Sequence, residues 1–242
     1  MSDFRSDLYK SYVSTATRLS AQSNRTVLEI YLDWCAYKFP PLLEHLRGDD
    51  RILELGCGPG HMLEFLKRQG FSRVEGIDVS GEQVALARNQ GRNAQVADVF
   101  EYLIGKENTF DAILALDFVE HFHKDELAGL MSLIYKSLKK GGTLILQTPN
   151  GEGLFPHQVI YGDLTHLTIF THRSLTQLLL NSGFCHAQFI ETGPVPKGIV
   201  GRLRLWAWRV IRMAANLARR IETGKTQSLW TENMICSSRK PA

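Results

Sequence analysis

From Arg51 onward, short runs rich in Ile, Val and Leu alternate with segments of helical periodicity, and nothing else in the chain constrains its fold as much. The apolar runs fall at 51–56, 73–79, 94–99, 110–117 and 143–148, with helix-patterned segments near 60–69, 81–90 and 124–139 between some of them. Strand, helix and strand in succession make parallel pairs whose crossovers cover both faces of a sheet. The expectation is an α/β, doubly wound, Rossmann-like sheet. "HAQFIETG" (186–193) and "TENMICSSRK" (231–240) add two strand candidates, and 172–182 a helix before them.

Residues 1–48 read as an N-terminal helical cap: 2–20 is polar with helical leanings, and "NRTVLEIYLDWCAYKF" is an amphipathic helix that Pro40 and Pro41 should stop. Residues 49–242 then form one domain, and 44% hydrophobic residues suffice for one sizeable core. The start, "MSDFRSDLYKSY", is polar and no stretch of about 18 uncharged apolar residues exists. We expect a chain that is neither exported nor membrane-spanning. Cys35, Cys57, Cys185 and Cys236 form no CxxC pair, which argues against a disulfide framework or zinc cage and fits reduced thiols in the cytosol.

The first strand candidate runs into glycines at every second position, in "ILELGCGPG" (52–60). Glycine at a strand end permits a tight turn, the next lets backbone approach a ligand closely, and the following helix aims free N–H groups at it. Glycines at 56, 58 and 60, with His61 where a dinucleotide turn needs Gly or Ala, fit neither the GxGxxG pattern nor a P-loop. Asp78 closes the second run, where a carboxylate can accept both hydroxyls of a ribose, and Asp98 closes the third, where it can meet an adenine amino group. Either alone reads as a strand-end or capping residue; in register with the turn they outline a nucleoside pocket.

"ILELGCGPG", "GIDVS", "ADVF", "FDAILALDFVEHF" and "LKKGGTLILQTPN" resemble, in this order, the motifs of class I S-adenosylmethionine-dependent methyltransferases over roughly residues 50–185. The resemblance implies a seven-stranded sheet whose last strand is antiparallel, and S-adenosylmethionine as cofactor. It puts Glu54 and Gly56 beside the methionine part, Asp78 on the ribose, Asp98 and Val99 around the adenine and Leu116 near the sulfonium. Cys57, Gly58, Gly60 and Val79 complete the implied cofactor set. Tyr9 and Tyr12 resemble aromatic positions by which an N-terminal helix closes over the cofactor.

A hydroxyl acceptor needs its proton removed, so the chain should provide a base or a metal near the fourth strand's end. "DFVEHFHKDE" follows that strand directly, and His121 is the natural base because imidazole titrates near neutrality. Asp117, Glu120 and His121, at i, i+3 and i+4, would share a helical face. Similar stretches in the ubiquinone-biosynthesis O-methyltransferases are associated with a divalent metal, and two carboxylates with one imidazole would suit magnesium or manganese. The plainer alternative makes Asp117 an N-cap and Glu120 its capping-box partner. The Asn/Asp-Pro-Pro-Tyr/Phe motif of amino N-methyltransferases is absent after this strand, which points to oxygen.

Residues 150–171 form a long, weakly periodic acceptor loop, and five of the eight histidines lie between 121 and 172. Its stretch "GDLTHLTIFT" resembles one in methyltransferases of sugars and isoprenoid quinones. His157, Tyr161 and Asp163 are acceptor-binding candidates, and His166 a second catalytic one; loop packing with capping by Thr171 is the alternative.

Eight basic residues and one acid lie from Lys197 to Lys225, a local +7 that leaves −4 elsewhere in a chain of net charge +3. Residues 198–224 read as an amphipathic helix inserted between the last two strands. Arg202, Arg209, Arg212, Arg219 and Arg220 gather on one side, Leu203, Ala207, Val210, Ala214, Leu217 and Ile221 on the other, with Trp206 and Trp208 at the border. An anionic membrane surface is the expected partner; packing on protein is the rival, and nucleic acid is disfavoured because aromatics are not interleaved with the charges.

The leading expectation is therefore an S-adenosylmethionine-dependent O-methyltransferase on the inner face of the cytoplasmic membrane. Its acceptor would be lipid-linked or amphiphilic, favoured a saccharide hydroxyl of a surface-glycan precursor in lipopolysaccharide biosynthesis. The alternatives are a polyprenyl quinone-biosynthesis O-methyltransferase and a cofactor-binding interaction protein without turnover.

Overall fold

The computed structural model describes residues 24–242. Helix α1 (Asn24–Lys38) leads into α2 (Pro40–Leu43), then β1 (Arg51–Leu55), α3 (His61–Arg68), β2 (Arg73–Asp78), α4 (Gly81–Asn89), β3 (Ala94–Val96) and α5 (Val99–Leu103). After β4 (Phe110–Leu116) come a 3₁₀ turn (Val119–His121), α6 (Lys124–Ser137), β5 (Leu138–Pro149), α7 (His157–Tyr161), α8 (His172–Asn181), β6 (Cys185–Glu191), α9 (Gly198–Thr223) and β7 (Asn233–Arg239).

The seven strands form one sheet in the order β3-β2-β1-β4-β5-β7-β6. Strands β1 to β5 pair in parallel, and β7 runs antiparallel to both neighbours. Period-two alternation sorts the side chains. Leu53, Leu55, Ile113, Ala115, Leu144 and Leu146 join the layer of α6 and α8, while Ile52, Ala112, Leu114 and Ile145 join that of α1, α2 and α3. Because β2 and β3 build out on one side of β1 and β4 starts the other, the chain reverses direction between β1 and β4. Ligands of such sheets bind in the crevice at that switch point, beyond the strands' carboxyl ends.

Several expected details differ. Pro40 and Pro41 end one helix but open another, since a missing N–H costs nothing in a first turn. The acceptor loop holds the short helix α7 and is pinned by a parallel bridge between Asn150 and Phe170. Asp117, Glu120 and His121 do not share a face of a regular helix. Asp117 directly follows β4 at φ 49°, left-handed backbone that is unusual for a side chain larger than glycine, and a 3₁₀ turn comes next. The capping box belongs to His123 and Glu126 at the start of α6, not to Asp117 and Glu120.

Candidate active site

The glycine turn lies at the switch point. Gly56, Gly58 and Gly60 have φ of 68°, 51° and 77°, all left-handed, where a β-carbon is strained. A β-carbon on Gly56 would come 2.6 Å from the Phe118 ring, so the loops after β1 and β4 touch here; one on Gly60 would come 2.7 Å from Arg92 Cδ. On Gly58 it would meet nothing within 4 Å, so this turn offers bare backbone to open space. Asp78 holds the turn in place: Oδ2 accepts from Gly58 N–H and Oδ1 from Ser80 N–H, both at 2.8 Å.

Glu54 is buried beneath the turn, with Oε2 unpartnered. Burial and then the Asp78 charge push its carboxyl well above the ordinary range, against the pull of Arg92 and the Leu63 N–H. The Cys57 side chain is buried beside Gly76, its Sγ donates to the Gly58 carbonyl at 3.7 Å, and burial pushes its thiol up. Val79 and Asp98 are exposed, and Val99 is buried. Asp98 caps α5, accepting from Phe100 N–H at 2.8 Å. Leu116 closes β4 directly before Asp117. Tyr9 and Tyr12 lie outside the described residues.

Two residues here were not singled out in the sequence. Arg92 is buried behind the turn, donates from Nη1 to the Pro59 carbonyl and lies 3.9 Å from Glu64. Tyr31 of α1 has its ring 5.7 Å from that of His61, the first residue of α3. Its phenol is pushed up by burial, then by Cys35, with the Glu54 and Asp117 charges contributing. It is thus the described aromatic of the N-terminal segment that reaches the turn.

Opposite the turn, the loop 163–168 clasps the end of β4. The Glu120 carbonyl accepts from Leu167 and Thr168 N–H at 2.8 and 3.0 Å, and Thr168 Oγ1 donates to the Phe122 carbonyl. The Asp117 carboxylate receives the Gln147 amide on both oxygens, at 3.0 and 2.9 Å. His121 lies between these features. Its Nδ1 is 2.9 Å from Thr165 Oγ1 and 3.1 Å from the Thr165 carbonyl, and Nε2 is 3.1 Å from the Asp117 carbonyl.

This network assigns the tautomer. Thr165 Oγ1 donates to Asp163 Oδ1 at 2.6 Å, so the hydroxyl presents lone pairs to His121, which favours a proton on Nδ1. Nε2 faces the Asp117 carbonyl at 3.1 Å. On taking a proton it would donate to the Asp117 carbonyl. Burial, with a contribution from neighbouring His166, holds the His121 pKa below the ordinary histidine value, against the pull of the Thr165 carbonyl, Asp163 and the Asp117 carbonyl. That is the setting of a neutral base with its product state prepared.

His166 packs edge-on to His121, ring centroids 4.9 Å apart, and its Nδ1 is buried without a partner. Glu120 is fully buried, and neither carboxylate oxygen makes a hydrogen bond of normal geometry. Burial and then Asp117 push its carboxyl well up, favouring the protonated form. One ligand atom each from Glu120, His121 and His166 lies within 4.8 Å of the others. Of the expected metal set, Asp117 is thus replaced by His166. The donors that converge are one carboxylate and two imidazoles, which suits manganese better than magnesium.

The acceptor candidates scatter. Asp163 spends its carboxylate on Thr165, and His157 stacks with exposed Tyr161 on α7. Thr171 caps α8 with Ser174.

A doubly wound sheet, a glycine turn at its switch point and an acidic residue ending β2 define a nucleoside-cofactor transferase of the class I methyltransferase fold. The chain belongs to the family described as "Methyltransferase domain", whose profile matches residues 20–186. It is similar to ubiquinone biosynthesis O-methyltransferase of Methylocella silvestris, 32% identical over 105 residues, which are 41% of this chain and 40% of that protein. It also resembles sterol 24-C-methyltransferase of Saccharomyces cerevisiae, 33% identical over 101 residues, 39% of this chain and 26% of that one. These matches span well under half the length of those relatives. A crystal structure of a SAM-dependent methyltransferase from Archaeoglobus fulgidus superposes with a TM-score of 0.68 at 21% identity, covering 95% of this chain and all of that one.

Helix α9 departs from the sequence reading in its orientation. Arg212 and Arg219 face the domain: Arg212 Nη1 pairs with Glu191 at 2.6 Å, and Arg219 lies 3.9 Å from Glu152. Trp208 also turns inward, lining a cleft with Trp34 and Trp230. Ile199, Leu203, Trp206, Val210, Leu217 and Ile221 instead form an outward apolar strip, each at least 40% exposed. Arg202, Arg209 and Arg220 are exposed along one flank of it.

Proposed function

We propose that the chain is an S-adenosylmethionine-dependent O-methyltransferase that deprotonates its acceptor hydroxyl with His121 Nε2. The single observation that carries this is the Asp163–Thr165–His121 chain, which holds a buried imidazole beside Asp117 at the switch point. The cofactor supplies an electrophilic methyl group on its sulfonium. The open backbone of Gly58 and the carboxylate of Asp78 hold it, and Glu54 supports the turn from beneath. The clasp of 163–168 around Glu120 fixes the base and keeps water from the reacting atoms.

The acceptor is an amphiphile at a membrane surface. Among the described residues no helix is long and apolar enough to cross a membrane, but α9 offers an apolar strip with cations along its flank, suited to lying in an anionic interface. Of the two acceptors the sequence leaves open, we favour a phenolic hydroxyl on a polyprenyl compound over a surface-glycan hydroxyl. Asp163, the carboxylate expected to bond sugar hydroxyls, is committed to Thr165, and relatives named for ubiquinone biosynthesis lie on the same side. Methyl-labelled cofactor incubated with protein and a cell-envelope extract tests this. Label in the quinone-lipid fraction is expected; label only in aqueous products overturns the amphiphilic acceptor, and no label with intact cofactor binding favours an interaction protein.

A second reading is favoured by the buried Glu120 carboxylate beside two imidazoles: Glu120, His121 and His166 would hold a divalent ion such as manganese, which would lower the acceptor's pKa in place of the base. Full activity in excess chelator supports the base; loss restored by manganese supports the ion.

The pH profile gives a further check. With the His121 pKa held below about 6.5, the base is protonated and inactive only under acid conditions. We expect kcat/KM, measured in chelator, to rise with pH through a midpoint below the ordinary histidine value. A midpoint above 6.5 removes His121 from the role.

For the membrane contact, Arg202→Glu with Arg209→Glu should weaken sedimentation with anionic vesicles by more than about tenfold, since each basic residue near such a surface contributes ~1 kcal/mol. Neutral vesicles should bind both proteins equally weakly. Undiminished binding of the variant would assign the strip to a protein partner.

A further inference from the structure

A cleft of about 550 Å³ lies not over the glycine turn but beside it, between α1, the segment 192–197 and the first half of α9. Its walls are Ile30, Trp34, Phe155, Val195, Trp208 and Trp230, and its size is that of a small-molecule site, roughly 300–1,000 Å³. Three of the chain's four tryptophans therefore face one apolar groove.

Its position links two features already described. At the inner end, Trp34 lies 6.0 Å from Tyr31, which in turn contacts His61 at the glycine turn. The floor, Trp230 to Glu232, leads into β7; Glu232 O accepts from Asn150 N–H, and Asn233 pairs with Pro149 at the end of β5. β5 adjoins β4, so the groove begins about two strand spacings, roughly 10 Å, from Asp117 along the same sheet edge. At the outer end, Trp208 and Arg204 of α9 form the wall, and the opposite face of that helix is the exposed apolar strip.

We propose that this groove binds the hydrocarbon tail of the acceptor. A tail drawn from the membrane beside α9 lies against Trp208, Trp230 and Trp34, and its length delivers the head group to His121. This rests on the membrane reading above for the direction of entry. The occupant is a hydrocarbon chain because the walls between the rims are aromatic and aliphatic; of the rim cations, Lys197 is paired with Asp33 and Arg204 stands at the outer end, where a head group or membrane anion would lie. Acyl and isoprenoid chains share this chemistry.

The tryptophans report on their own occupant. In a Trp206→Phe background, which removes the one tryptophan of the outward strip, every remaining indole lines the groove. Titration with 12-bromo-1-dodecanol, a neutral chain carrying a heavy-atom quencher, should give saturable quenching. Ile30 is 64% and Phe155 71% exposed, so Ile30→Glu with Phe155→Ala should leave the fold intact, which thermal melting checks. We expect half-saturation about tenfold weaker in that variant, through lost ring contact and a charge set against the chain. Quenching that is linear in concentration, or equal in the two proteins, overturns the proposal. Arg202→Glu with Arg209→Glu should leave quenching unchanged in solution, so failure of the membrane contact and failure of the groove read out separately. Loss of methyl transfer with the tested acceptor, but with saturable quenching intact, would fault the function and spare the groove.

Discussion

Replacing His121 with alanine is expected to lower kcat by about 10²- to 10⁴-fold, the usual contribution of a positioned general base, while cofactor affinity stays near that of the parent. The second half follows from the layout: His121 contacts Thr165, Asp117 and His166, at the end of β4. Alanine also removes the anchor of the 163–168 loop, so a structural loss could imitate a chemical one. His121→Asn separates the two. Its amide can still donate to Thr165 where Nδ1–H does, but it cannot accept a proton at neutral pH. If the asparagine variant recovers parental kcat, His121 is a loop anchor and the base lies elsewhere. Thr165→Val should act in the same direction with a smaller loss of roughly tenfold, because the imidazole survives while its tautomer is no longer held.

The contrast between what the linear pattern reveals and what it hides is physical. Parallel strands buried on both faces read as continuous apolar runs, so β1 and β4 are legible to within a residue. The short helix α5 spans only five residues, too few for a helical period, and it emerges only from Asp98 capping it. Left-handed glycines can be read because no other residue sits there without strain, which is why the turn at 56–60 was found. His121 meeting His166, Gln147 meeting Asp117 and Arg92 reaching Pro59 leave no such trace, since each joins residues 30 or more positions apart and is made by strand order alone.

Helix α9 is the most instructive case. Its amphipathicity is plain in the sequence, and the ordinary inference turns an apolar face toward the core. Here Glu191, Glu152 and Gln227 offer polar partners to Arg212, Arg219 and Asn216, so the more polar face packs inward and the apolar strip is left outside. A helical wheel fixes the separation of faces, never which medium each will meet.

Replacing Asp78 with alanine should show the opposite kinetic signature, weakening S-adenosylmethionine binding by about 100-fold and changing kcat little at saturating cofactor. Burial pushes the Asp78 carboxyl up while the Ser80 and Gly58 N–H groups hold it down, so the charged form is maintained by these two bonds. Hydrogen bonds to a charged group contribute about 1.5–3 kcal/mol each, and about 1.4 kcal/mol is tenfold in affinity. Loss of the carboxylate releases Gly58 from its left-handed conformation and removes the acceptor proposed for the ribose hydroxyls. Asp78→Asn retains one oxygen but turns an amide N–H₂ toward a backbone N–H, so it should rescue little. Calorimetric titration of cofactor and melting of the free protein distinguish the two roles of this side chain. A lower Tm with unchanged Kd would make Asp78 a brace of the turn alone. A hundredfold rise in Kd with a modest change in Tm ties it to the ligand. His121→Ala lowers turnover without moving that Kd, so the two variants together divide the crevice into a cofactor half under β1 and β2 and a reacting half at the end of β4.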